Sequence, residues 1–197
     1  MIAWHLNQIS QTVVALLGLL ACAEAVSGSN CSTRPPGLVD LGYAKHVPSQ
    51  VTTFGGKNLT VYKNIRFART PTGDLRFRKP DTQIPKIHGT QDGIYPAGRT
   101  DCIASAPASV PYPGLNGTSW GHEDCLFLDV WVPDGVKPRD KLPVLHWIHG
   151  SGFAFASKDI SFSPLGLYDR MGDNDKFIYV ANNYRYVGTV CCNLREI

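Results

Sequence analysis

The apolar positions of this chain gather in short clusters separated by polar turns, a spacing that favours strands over long helices. Leu38–Val47 and Leu59–Ala68 carry β-branched and aromatic residues and lie around the turn residues Pro48-Ser49 and Gly55-Gly56, which predicts two short strands. Leu126–Val132 alternates its faces imperfectly, as a mostly buried strand does. Pro143–Ile148 and Phe177–Ala181 are fuller apolar runs, which suit a sheet covered on both faces. Between those two runs, Ser163 can cap a helix with Pro164 in its first turn. The order strand, helix, strand predicts an α/β architecture. Arg69–Gly121 is rich in Pro and Gly and lacks helical periodicity, so it reads as a long loop that needs tethers.

The N-terminus has a different pattern. Val13–Ala25, VVALLGLLACAEA, is apolar over the length of a signal core and ends in small residues with two A-x-A choices. The segment before it contains no Lys or Arg. Residues 1–25 are read as a signal peptide and left out of the fold, and a secreted, extracellular product is expected. The triplets Asn30-Cys31-Ser32, Asn58-Leu59-Thr60 and Asn116-Gly117-Thr118 are glycosylation acceptors that agree with secretion.

Composition narrows the class. The chain has 197 residues, 43% hydrophobic and 18% charged, which is globular rather than disordered and points to one domain. The net charge is +3 with Lys and Arg scattered, so no nucleic-acid partner is expected. Outside the signal core, no apolar run is long enough to span a bilayer. No phosphate loop, dinucleotide fingerprint or metal-ligand spacing is present, and neither cofactor nor metal is expected.

Two segments carry candidate chemistry. Glu123–Pro133, EDCLFLDVWVP, joins an acidic pair and a cysteine to a strand. Lys141–Phe153, KLPVLHWIHGSGF, is a strand that ends in small residues. A buried strand running into such a turn brings bare backbone N–H groups to a sheet edge, where they can hold a negative oxygen. A literal G-x-S-x-G occurs at Gly117-Thr118-Ser119-Trp120-Gly121, beside His122. A catalytic serine of that pattern needs a buried strand before it and a helix after it. Here a Pro/Gly-rich loop precedes and a strand follows, so Ser119 is rejected as a nucleophile.

These segments, with VYKNIRFARTPTGDLRFRKP and FIYVANNYR, stand in an order that resembles the type-B carboxylesterase/cholinesterase family of α/β-hydrolases, and most of all its secreted fungal members. Trp120 does not sit where cholinesterases bind a choline cation, so a choline substrate is not expected. The resemblance implies the N-terminal part of a mostly parallel α/β-hydrolase sheet, with an antiparallel N-terminal strand pair and a long disulfide-tied loop. It covers roughly Pro36–Tyr186 and implies a partial domain over residues 26–187, with 188–197 as an unmatched tail. It implies that Arg76 pairs with Glu123 and that the backbone N–H groups of Ser151 and Gly152 form the oxyanion hole. His149 is expected to pack or hydrogen-bond rather than act as the base.

In an oxidising compartment Cys102 and Cys125, which flank the long loop, are natural partners, and the resemblance implies the same pair. Cys31, Cys191 and Cys192 are left without an assigned role. The family's Ser, acid and His have no positions in this sequence. The expected protein is therefore a truncated ester hydrolase, inactive as it stands, whose full-length form acts on small carboxylic esters through a serine acyl-enzyme. The alternative is a non-catalytic secreted binding or adhesion module, or a pseudoenzyme, on the same fold. In the truncated reading the strand Phe177–Tyr184 is expected to present an open edge, because its partner strand lies in the missing sequence.

Overall fold

The computed structural model describes residues 37–95, 100–105, 119–137, 139–160, 163–172 and 174–185. The leader, Asn30, Asn116 and the cysteines at 22, 31, 191 and 192 lie outside the described residues. The main sheet has five strands: β3 (Ser49–Thr52), β4 (Asn58–Arg66), β8 (Phe127–Pro133), β9 (Val144–Ile148) and β10 (Ile178–Asn182). Their order is β3-β4-β8-β10-β9. The pairs β3/β4, β4/β8 and β8/β10 are antiparallel, and β9/β10 is parallel. The crossover from β9 to β10 contains the helix α1 (Leu165–Arg170), so this pair is a strand–helix–strand unit. This is the α/β-hydrolase pattern of an antiparallel flank feeding a parallel pair.

Small two-residue strands decorate the sheet. β1 (Val39–Asp40) and β2 (Lys45–His46) form a hairpin, and β5 (Thr90–Gln91) joins β2 in parallel. β6 (Ala104–Ser105) pairs with β7 (Ser119–Trp120). The expected single strand over Leu38–Val47 is therefore broken. Asp40 supplies the break: its Oδ1 accepts a hydrogen bond from Gly42 N at 2.8 Å, and Gly42 takes a φ of 84°. Ser49, read as a turn residue, instead begins β3 opposite Val61. The hairpin turn lies at Thr53–Lys57, on the expected Gly55-Gly56 pair, where Gly56 has a φ of 84°.

Two apolar clusters form the core. Leu59, Val61, Tyr168, Tyr179 and Ala181 bury the face of the sheet under α1. Tyr168 fastens that helix: it is fully buried, its ring stacks on Phe177 at 4.7 Å, and its hydroxyl donates to Trp131 O at 2.9 Å. The second cluster, Ala68, Cys102, Ala104, Cys125 and Leu126, lies under the long loop.

The open edge is not where the sequence placed it. β10 is paired on both sides; among the described residues the edge strands are β3 at one side of the sheet and β9 at the other, beside β10. Val144 is 60% and Ile148 63% exposed there. An unpaired strand edge with exposed apolar side chains templates pairing with other chains. The chain is expected to self-associate through β9. Val144→Lys is then expected to raise the monomer fraction on size-exclusion chromatography, and an unchanged fraction would remove β9 as the contact.

Candidate functional site

Strand direction brings the site together. β9 and β10 end, and β8 begins, at one end of the sheet, because Asn182 is registered with both Leu128 and Ile148. The acidic pair before β8, the turn after β9 and the Asn183–Arg185 segment after β10 therefore meet. Asn183 N donates to Phe127 O at 2.9 Å, and Ser105 N donates to Ala154 O at 3.0 Å.

The turn after β9 is left-handed over successive residues. Ser151 has a φ of 93°, Gly152 of 62° and Phe153 of 57°. Among the described residues, none accepts a hydrogen bond from the Ser151 or Gly152 N–H. Such a run leaves N–H groups available for an anion. Serine at a φ of 93° has a steric cost that glycine would not have, about 1–3 kcal/mol for a non-glycine residue held there.

Neighbours grip the turn on both flanks. The Tyr184 hydroxyl donates to His149 O at 2.7 Å, its ring stacks on the His149 imidazole at 4.3 Å, and Phe153 meets it edge-on at 6.3 Å. His149 is 2% exposed. Burial lowers its pKa, opposed by the contact of Nδ1 with Gly150 O and by the field of Asp101, so the imidazole is held toward the neutral form. Downstream, Lys158 is buried and its Nζ lies 3.0 Å from Asp129 and 2.7 Å from Asp159. Its backbone N–H donates to Asn183 Oδ1 at 2.9 Å. Asp129 also accepts from Asn64 N at 2.8 Å, at the β4 bulge where Asn64 has a φ of 52°.

The long loop is tethered at several points. Cys102 and Cys125 are joined, with Cα atoms 4.8 Å apart. Arg76 Nε lies 2.5 Å from Glu123 Oε1. Arg185 donates to the carbonyls of Leu75, Arg76 and Arg78. Asp124 takes both terminal nitrogens of Arg66, the Thr70 hydroxyl at 2.7 Å and the Tyr95 hydroxyl.

Burial opposes ionisation of Asp124, but these donors outweigh it and hold its pKa at about 2. A depressed carboxylate contributes stability above its unfolded pKa, near 3.9, and loses it as pH falls through the folded value. The loss is expected between pH 4 and 2 and to reach about 2 kcal/mol. Urea unfolding at stepped pH checks this, and an Asp124→Asn variant with the same acid slope would contradict it.

Ser119 occupies the two-residue strand β7, and no helix follows it: His122 and β8 come next. Gly121 is needed there for space, since a Cβ would lie 2.3 Å from Cys102 O. Asn58 is exposed at the start of β4, and its Oδ1 accepts from the Thr52 hydroxyl at 2.9 Å. Among the described residues no cluster of three or more metal-ligand side chains occurs, and no helix is long and apolar enough to cross a membrane. Tyr184 and Lys158 were not singled out from the sequence. The one local sign was Asp129, a charge inside the apolar strand FLDVWV that calls for a cation.

The antiparallel flank, the disulfide loop and the small-residue turn after β9 fit an α/β-hydrolase fold, and this chain belongs to the carboxylesterase family, whose profile matches residues 45–189. It is 38% identical over 139 residues to a secreted triacylglycerol lipase of Gibberella zeae, covering 64% of this chain and 23% of that protein. It is 34% identical over 136 residues to acetylcholinesterase of Electrophorus electricus, covering 65% of this chain and 20% of the relative. The crystal structure of Aspergillus niger EstA superposes with a TM-score of 0.55 at 28% identity, over 77% of this chain and 26% of EstA. The chain thus spans about a quarter of the length of the proteins it matches.

Proposed function

We propose that the protein carrying this chain is a secreted carboxylic ester hydrolase of type B, acting through a serine acyl-enzyme. The observation that carries this reading is the turn His149–Phe153. Its Ser151 and Gly152 N–H groups have no acceptor among the described residues and follow a parallel strand in a chain of the carboxylesterase family, which supports the reading. Attack on an ester carbonyl makes a tetrahedral intermediate with a charged oxygen. The Ser151 and Gly152 N–H groups would hold that oxygen, and each such donor lowers the barrier by about 3 kcal/mol. The nucleophile, acid and base are proposed to come from sequence beyond these residues, so that this portion alone is inactive. Ionic pairing of Arg76 with Glu123 would keep the loop seated beside the site.

Secretion is supported by the leader pattern and by the secreted relative. Asn30, Asn58 and Asn116 are the proposed glycan acceptors.

The experiment is hydrolysis of an activated ester by purified chain beside a heat-denatured control. Equal rates are expected. Saturable turnover that disappears in Ser119→Ala would overturn both the division of labour and the rejection of Ser119.

A further inference from the structure

A cavity of about 670 Å³ opens beside the ends of β4 and β8, and no residue of His149–Phe153 lines it. Pockets that bind small molecules run from about 300 to 1,000 Å³, with apolar walls and a few polar groups that fix orientation. Here Leu75, Ile84, Ile87 and Phe127 supply apolar wall. The basic side chains are Arg66, Arg69 and Lys86, and no acidic residue lines the cavity among the described residues.

These cations are not equivalent. Arg66 is occupied by Asp124 and by the face of Phe127, with its guanidinium carbon 4.5 Å from the ring centroid. Arg69 Nη1 is held by Asp81 at 3.0 Å. Lys86 is exposed and, among the described residues, makes no ion pair. A second polar group at this cavity has unmet hydrogen-bonding capacity. His46, which lines the cavity, is 3% exposed, and its Nε2 has no hydrogen-bond partner among the described residues. A buried polar atom without a partner is destabilising and uncommon in a finished fold.

We propose that this cavity binds an amphipathic carboxylate, with the aliphatic body against Leu75, Ile84 and Ile87 and the carboxylate at Lys86. Charge complementarity selects the acid: a neutral amphiphile would gain the apolar wall and leave the lysine unanswered, and a short anion would gain the lysine alone. The site stands apart from the oxyanion turn, so it holds whether or not the esterase reading does.

The test is titration of the purified chain with sodium decanoate below its micelle concentration, followed by amide NMR and calorimetry. Saturable binding is expected, with the largest shifts at Leu75, Ile84, Lys86 and Ile87. Affinity is expected to fall at least tenfold in Lys86→Glu, a change at an exposed side chain that leaves the fold intact. Decan-1-ol and acetate are each expected to bind at least tenfold more weakly than decanoate. Decanol binding as tightly as decanoate, an unchanged affinity in Lys86→Glu, shifts centred on Ser151–Phe153, or no saturable binding would overturn the proposal.

Discussion

Replacing Cys102 and Cys125 together by alanine is expected to lower the stability of the chain by about 3 kcal/mol. The bond closes a loop with a sequence separation of 23 residues, and its removal returns that closure entropy to the unfolded chain. Alanine is the right replacement because both positions are buried, at 3% and 1% exposure, and a serine hydroxyl there would add a desolvation cost of its own. The loss is large against a net stability of about 5–15 kcal/mol for a domain. Denaturant unfolding followed by tryptophan fluorescence measures it. A loss under about 1 kcal/mol would mean that the Asp124 and Arg185 tethers hold the loop without the bond.

Lys158→Met is expected to cost about 3–5 kcal/mol, because it strips a buried carboxylate of its cation. Asp129 is 3% exposed, and its remaining neighbours are the Asn64 N–H and the like-charged Asp159. Burial already raises the Asp129 pKa, with the Lys158 charge opposing it. Without the lysine that rise grows. A carboxyl whose folded pKa lies above its unfolded value is costly at neutral pH and relieved as pH falls and it takes a proton. The penalty in Lys158→Met should therefore shrink toward acid. The double change Lys158→Met with Asp129→Leu should recover much of the loss, since an apolar pair can replace a buried ion pair. A uniform penalty from pH 8 to 4 would show that Lys158 acts through packing of its stem and not through its charge.

Much of the fold was legible because its signals are local. The strands β8, β9 and β10 were marked by short apolar runs, and Ser163-Pro164 marked the approach to α1, although Pro164 and not Ser163 stands at the N-cap and no side chain caps the helix. β3 was missed because Ser49–Thr52, SQVT, has one apolar residue, and such a segment becomes a strand only when β4 is present to pair with it. The order β8-β10-β9 could not be read, since periodicity shows which face a strand buries and not which strand lies beside it. That is why the open edge was assigned to the wrong strand.

The site divides in the same way. The small-residue turn was visible in His149-Gly150-Ser151-Gly152-Phe153. The left-handed φ of Ser151 was not, because a serine carries no sequence mark of that conformation. Tyr184 and Lys158 reach the turn and its flank from residues far along the chain or inside a loop, so their roles depend on tertiary contacts alone.

Labelling with a fluorophosphonate, followed by peptide mass spectrometry, is the most direct measurement of the proposed division of labour. The reagent bonds covalently to a serine activated by a neighbouring base and seated beside an oxyanion hole. If this chain supplies the oxyanion donors and not the nucleophile, every serine within residues 26–197 stays unmodified, Ser119 and Ser151 included. In a longer product carrying the same residues, the label falls on a serine outside them. A stoichiometric label on Ser119 would contradict this division and make Gly117–Gly121 the nucleophile turn.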